Sequence, residues 1–167
     1  TALDGMAERL HPLADALVAD PDRAAALRGM WLGHAVHPLL TDLPLGAWVS
    51  ATVLDLVGGR TSRPAAQRLI AFGVLAAVPT AVTGVAEWAS TQGGERRVGV
   101  AHAAANETAL LLYVLSWRAR RRGRHGRGVL LGFAGGLALG VGGYLGGHLT
   151  EARKVASRHP AYADGSS

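Results

Sequence analysis

The 167-residue chain contains no cysteine. That excludes disulfides, thiolate catalysis and any iron–sulfur cluster held by cysteines of this chain, and it leaves the redox state of its compartment unread. Charged residues are scarce, at 17% against about a quarter in soluble domains. There is no HExxH for a zinc hydrolase, no glycine-lysine phosphate loop and no serine nucleophile elbow. The HAVH run at 34–37 is a poor zinc signature alone. Residues 1–30 lack a basic start followed by an apolar run, so no secretory signal is expected there.

What is present is apolar. Hydrophobic residues make up 49%, and the mean hydropathy of +0.20 is diluted by polar ends and one arginine-rich loop. The net charge of +5 and the pI near 10.7 invite a nucleic-acid partner. The basic residues sit in short loops between apolar segments, where membrane topology explains them, so nucleic acid is set aside. One domain is the expectation at this length.

Four stretches are long enough to cross a hydrocarbon core, which takes about 20 helical residues. They run from Pro38 to Gly58, Arg68 to Ala89, Val98 to Trp117 and Gly128 to His148. Open sheet edges find no partner in lipid, so the predicted fold is all-α. Short connections predict an up-down-up-down four-helix transmembrane bundle over 31–150. Ahead of it, at 1–30, Leu3, Met6, Leu10, Leu13 and Leu17 recur at helical spacing. This is an amphipathic helix, broken at Pro21, that lies on the membrane surface or caps the bundle. Residues 151–167 form a polar tail that is expected to fray.

Arginine placement sets the orientation. Arg60, Arg63 and Arg68 follow the first stretch; Arg118, Arg120, Arg121, Arg122, Arg124 and Arg127 follow the third. These are nine of the 17 basic residues. The positive-inside rule makes both loops cytoplasmic. The chain is then a multi-pass plasma-membrane protein with both termini extracytoplasmic.

Polar residues gather at the outer face. His34, His37 and Asp42 lie at the start of the first stretch, and Glu87 and Trp88 at the end of the second. His102, Asn106 and Glu107 open the third, and His148 closes the fourth. Four of the seven histidines therefore share one depth. Intramembrane ionisable groups are costly and usually mark function. His37, Thr41, Trp48, Thr52 and Asp55 share one side; Thr80, Thr83, Glu87 and Thr91 form a stripe; His102, Asn106 and Tyr113 share a face. Gly128, Gly132, Gly136, Gly140, Tyr144 and His148 recur at four-residue steps, a ridge that admits a neighbouring backbone or a flat cofactor.

Plainer readings stand beside these. A lone histidine near a helix end is more often interfacial than a ligand, but four from three helices argue for a bound metal or haem. The glycine ridge is more often simple packing. Asp42, ahead of Leu43-Pro44, serves equally as a capping group. Glu87 and Glu107 are either a proton path or reach the interface. Asp55 is expected to pair with a cytoplasmic arginine. His11, His125 and His159 fall in surface segments. Trp31, Trp48, Trp88 and Trp117 are explained by the aromatic belt.

WLGHAVHPLLTDLPLGAW at 31–48, SATVLDLVGG at 50–59, PTAVTGVAEW at 79–88, VGVAHAAAN at 98–106 and GVGGYLGGHL at 140–149 carry a resemblance. Over roughly 30–150 the chain resembles a bacterial four-helix membrane family of unknown function, common in actinobacteria and often fused ahead of a Rieske iron–sulfur domain. Family members usually have proline where this chain has Ala35, and without cysteine no Rieske domain is expected within these 167 residues. The resemblance implies extracytoplasmic electron transfer, and the family's histidines map onto His34, His37, His102 and His148.

The function expected is a membrane electron-transfer subunit binding one b-type haem through two imidazoles. His37 with His102 is the first choice, because the first and third helices of an up-down bundle are diagonal; His148 with His102 is second. Asn106 would orient an imidazole, Arg96 or Arg97 would meet propionates, and Gly136 and Gly140 would admit the ring. Electrons would pass between quinone and an outer Rieske-type partner in trans. Membrane lipid and a second copy of the chain, as a homo-oligomer, complete the expected partners. The alternatives are a non-haem metal site in an oxidoreductase, built from His34, His37, His102, His148 and a carboxylate, Asp42 or Glu87, and a cofactor-free anchor that recruits a redox enzyme.

The topology is checked with an impermeant thiol label on intact cells. In this cysteine-free chain Ser166→Cys is expected to label and Gly123→Cys to stay unlabelled; the reverse pattern inverts the orientation.

Overall fold

A computed structural model describes residues 2–155. Two short helices, α1 (Ala2–Leu17) and α2 (Pro21–Arg28), precede four long ones: α3 (Val36–Val57), α4 (Arg63–Trp88), α5 (Gly93–Arg121) and α6 (His125–Gly147). Short 3₁₀ turns lead into α3 and α4, and a π turn over His148–Ala152 follows α6. Among the described residues there is no strand. Residues 156–167, with His159 and most of the expected tail, lie outside the described residues.

All four long helices are long and apolar enough to cross a membrane. Each runs past at least one end of its apolar stretch: hydropathy marks only the part at lipid depth, while polar residues continue the helix into the interface. Arg118, Arg120 and Arg121 accordingly belong to the last turns of α5, and Arg63 and Arg68 to α4, not to loops. The large apolar residues face outward; Leu75 is 72% exposed and Leu137 78%. The interior is made mainly of alanine and glycine around Trp48, Ile70 and Tyr113, with a few buried polar side chains, as suits a bundle whose outer solvent is lipid.

The helices form a ring in chain order. The α3–α4 and α5–α6 hairpins are the tightest pairs, α4 lies along α5, and α3 touches α6. That leaves α3 and α5 diagonal and parallel. They meet through side chains in three layers. His37 faces His102, with ring centroids 6.5 Å apart. Trp48 stacks on Tyr113 at 4.1 Å and 10°. Asp55 takes two hydrogen bonds from the Arg120 guanidinium, Nη1 to Oδ1 at 2.8 Å and Nη2 to Oδ2. Both of these side chains are buried, at 6% and 1% exposure. A buried pair of this kind adds little net stability, but breaking one side costs about 3–5 kcal/mol. Asp55 thus has the arginine partner expected of it. Trp48 departs from the aromatic-belt reading: it sits three turns inside α3, and its indole N–H donates to the Ile70 carbonyl in the core.

In every layer the partners stand 65 positions apart. The helices beside them repeat too. Gly73 lies against Trp48 and Gly135 against Tyr113; Gly84 lies against the His37 ring and Gly146 against the His102 ring. The Thr80 carbonyl accepts from His37 and the Gly142 carbonyl from His102. Each α6 position follows its α4 counterpart by a constant step of 62 (from 80 to 142). The bundle is therefore two similar hairpins related by a pseudo-two-fold axis along its length.

The expected glycine ridge is corrected by the same geometry. Steps of four advance about 400°, so they rotate about 40° off one face at each step. Gly140 is exposed with nothing near a Cβ built on it, Tyr144 is 75% exposed, and Gly136 sits at the margin. The packed face alternates steps of four and three: Gly128, Gly132, Gly135, Leu139, Gly142 and Gly146.

The N-terminal helices lie at the histidine end. The narrow face of α1, Ala7 and Ala14, is buried against α4 and α5, with the His11 ring 5.6 Å from Trp88 and Arg97 reaching Asp4 at 3.2 Å. The wide face, Leu3, Met6, Leu10 and Leu13, is exposed. The helix caps the bundle with small residues and turns its large apolar ones outward. The break before α2 is built by Asp20, whose carboxylate accepts the Arg23 backbone N–H at 2.7 Å, and by Pro21 at the first helical position.

The packed face has a direct test. A Cβ at Gly135 would come within 3.1 Å of the Tyr113 ring, so Gly135→Leu should destabilise the detergent-solubilised protein by about 1–3 kcal/mol, read as a lowered melting temperature. Gly140→Leu should leave melting unchanged. Equal effects would place both glycines on one face.

Candidate functional site

The site is built where α3 begins, about two and a half turns inside the N-terminal end of α5. Gly33 in a left-handed conformation and Ala35 in an extended one turn the chain into α3, so His37 falls in its first turn. Its Nδ1 lies 2.9 Å from the Thr80 carbonyl of α4. His102 makes the equivalent contact, Nδ1 to the Gly142 carbonyl of α6, at 2.8 Å. A carbonyl only accepts, so both rings carry a proton on Nδ1, and the neutral form of each keeps its lone pair on Nε2. Gly84 and Gly146 back the two rings; a Cβ at either position would come within 3.0 Å or less of an imidazole carbon. The planes of the rings cross at 86°.

Asn106, one turn beyond His102 on the same face, places its amide Nδ2 3.0 Å from His102 Nε2 and 3.3 Å from Nδ1. An atom this close to both ring nitrogens lies against the imidazole and off the in-plane axis of the Nε2 lone pair. Thr83 lines the other side, with its hydroxyl 3.5 Å from His37 Nδ1.

The remaining sequence candidates stand apart from this pair. His34 is exposed in the turn before α3, and its Nδ1 meets the Ala35 carbonyl at 2.9 Å. His148 opens the π turn and accepts the Arg153 Nε–H on its Nε2 at 2.9 Å, so it does not continue the packed face of α6. Asp42 is exposed, because five residues along a helix turn it about 140° away from His37. Glu87 is half-buried beside Arg28 of α2, whose Nε donates to the Ala86 carbonyl. Gly136 and Gly140 are not at the pair: the α6 glycines that meet the His102 side of the site are Gly142 and Gly146. Arg96 donates to the Thr91 carbonyl and closes the α4–α5 turn, while Arg97 is held by Asp4. Among the described residues no group of three or more His, Asp or Glu side chains is placed to hold a metal ion.

Sequence reasoning missed the groups that hold the rings. Thr80 and Gly142 act through backbone carbonyls, which leave no mark in a side-chain pattern. The repeat did leave one. His37, Trp48 and Asp55 follow one another at the same intervals as His102, Tyr113 and Arg120.

The sequence pattern of one family, described as predicted membrane protein (DUF2231), matches residues 33–159. No curated protein and no solved structure matches the chain.

The carbonyl partners predict a tautomer. Nitrogen-15 spectra of histidine-labelled protein should include two neutral, Nδ1-protonated imidazoles that disappear one each in His37→Ala and His102→Ala. Asn106→Leu should move the Nε2 resonance of His102 and leave that of His37 in place. Nε2-protonated rings would mean that the contacts to Thr80 and Gly142 are not formed.

Proposed function

The chain belongs to the DUF2231 family of predicted membrane proteins, and we propose that it is an electron-transfer subunit in which His37 and His102 hold one b-type haem. The observation that carries this reading is the pair itself. Two neutral imidazoles from diagonal helices face one another with centroids 6.5 Å apart. Two rings bound on opposite sides of one metal, with metal–nitrogen bonds of about 2.0–2.1 Å, stand roughly 6.4 Å apart. The donor set also favours haem over a bare ion. His37 and His102 would supply the two protein ligands a haem takes, whereas a non-haem site needs at least three, and no third donor joins the pair among the described residues.

A haem held by His37 and His102 would supply single-electron exchange, which suits electron transfer and not oxygen chemistry. The chain's own residues supply the rest. The Thr80 and Gly142 carbonyls fix each ring and raise its basicity through the Nδ1–H bond. Gly84 and Gly146 keep the flanking walls thin. Asn106 holds its amide against the His102 ring. With the arginine-rich end in the cytoplasm, the pair lies toward the extracytoplasmic side of the plasma membrane. Membrane quinone on one side and a Rieske-type protein on the other are the partners that fit this position.

The test is a visible spectrum of detergent-purified protein, as isolated and after titration with haemin. The expected result is a sharp reduced α band, one haem per chain, abolished by His37→Ala and by His102→Ala. His34→Ala and His148→Ala should keep the band, because neither side chain reaches the pair. Protein that stays colourless after haemin titration overturns the reading.

A further inference from the structure

The opposite end of the bundle carries a second feature, independent of the histidine pair. A cavity of about 370 Å³ lies between the first turn of α4 and the start of α6, lined by Arg63, Gln67, Arg68, Arg120, Gly123 and His125. Its charge is one-sided. Nine arginines occupy this end of the molecule, and from Leu43 to Ala86 and from Thr108 to Thr150 the single carboxylate is Asp55. Asp55 is already held by both Nη atoms of Arg120, and His125 Nε2 stands 3.9 Å from it. The floor of the cavity is thus a neutral pair. Among the described residues Arg63 and Arg68 have no carboxylate within ion-pair distance, so the walls keep their positive charge.

Two further observations bear on what such a cavity takes. Arg124, at the start of α6, makes no side-chain capping bond, so this helix end turns its first N–H groups toward the arginines, whereas at the start of α4 the Arg63 N–H donates to the Arg60 carbonyl and Pro64 has none. Arg121 lies over the Trp117 ring, 5.2 Å from its centroid, within a turn of Arg120. A tryptophan paired with an arginine at a helix end marks the headgroup level of a bilayer. Basic pockets between transmembrane helices at that level suit phosphate headgroups.

We propose that this cavity binds a phosphate group, with Arg63 and Arg68 as its charged donors and Gln67 and the His125 ring as neutral ones. Two sources offer that chemistry at this depth: the headgroup of an anionic phospholipid and free phosphate in the adjoining water.

The experiment uses the full chain in a zwitterionic detergent. Melting temperature is followed while phosphatidylglycerol, phosphatidylcholine or inorganic phosphate is added, and native mass spectrometry counts retained lipid. A site for the headgroup gives a saturable rise in melting temperature and one retained lipid with phosphatidylglycerol only. A site for free phosphate gives the rise with inorganic phosphate at matched ionic strength. In either case Arg63→Gln and Arg68→Gln should each weaken the response about tenfold, the effect of removing one charge-assisted hydrogen bond. Arg127→Gln, outside the cavity lining, should leave it unchanged. Arg120 is left intact because its loss would unbalance Asp55. No saturable response, or the same response in wild type, Arg63→Gln and Arg68→Gln, overturns the proposal.

Discussion

Lipid tails are as apolar as leucine, so four apolar helices gain nothing from water exclusion when they meet in a bilayer; close packing and polar contacts have to hold them. Here the polar contacts are concentrated on one diagonal. Helices α3 and α5 meet through His37 and His102, Trp48 and Tyr113, and Asp55 and Arg120. These three layers fix the register of the two hairpins. Shifting α5 by one residue would rotate all three partners by about 100° and leave Asp55 buried without its guanidinium. The small residues on α4 and α6 follow from the same constraint. A bulky ring in the centre requires a glycine beside it, which is why Gly73 and Gly135 flank the Trp48–Tyr113 stack.

Much of this was legible in the chain. The four spans were readable because lipid demands about 20 apolar residues per crossing, a signal too long to arise from a packed soluble core. The placement of His37, His102 and Asp55 on inner faces was readable because polar side chains at membrane depth avoid lipid. The packed face of α6 was not. In a helix with glycine at nearly every turn, several four-residue ladders are available, and only the partner helix decides which one is buried. Tyr113 lies beside Gly135, so the face follows Gly135 and not Gly140. Arg120 was hidden for a different reason: amid Arg118, Arg121 and Arg122 it reads as loop charge, although it points back into the bundle while its neighbours turn outward.

The two ends of the molecule differ in the way they treat charge. At the histidine end, the rings donate to carbonyls, and the carboxylates stand outside the pair. At the arginine end a single carboxylate faces a concentration of cations. The Trp48–Tyr113 stack separates them with a dry aromatic layer, three turns of helix from His37 and two from Asp55. Helix α1 belongs to the first end, where its Ala7 and Ala14 face closes the bundle above the rings.

The pseudo-two-fold axis has a consequence for what a single chain achieves. A hairpin that paired with an identical copy of itself would set like against like in every layer, because a two-fold interface is isologous. Such an arrangement accommodates two histidines and two stacked aromatics. It cannot accommodate Asp55 with Arg120, since the symmetric alternatives are two carboxylates or two guanidiniums in a dry interior. Carrying both hairpins on one polypeptide releases the arginine-end layer from that restriction and lets unlike residues face each other. The histidine layer is the one in which the two halves still present the same side chain, on the axis, in the same tautomer.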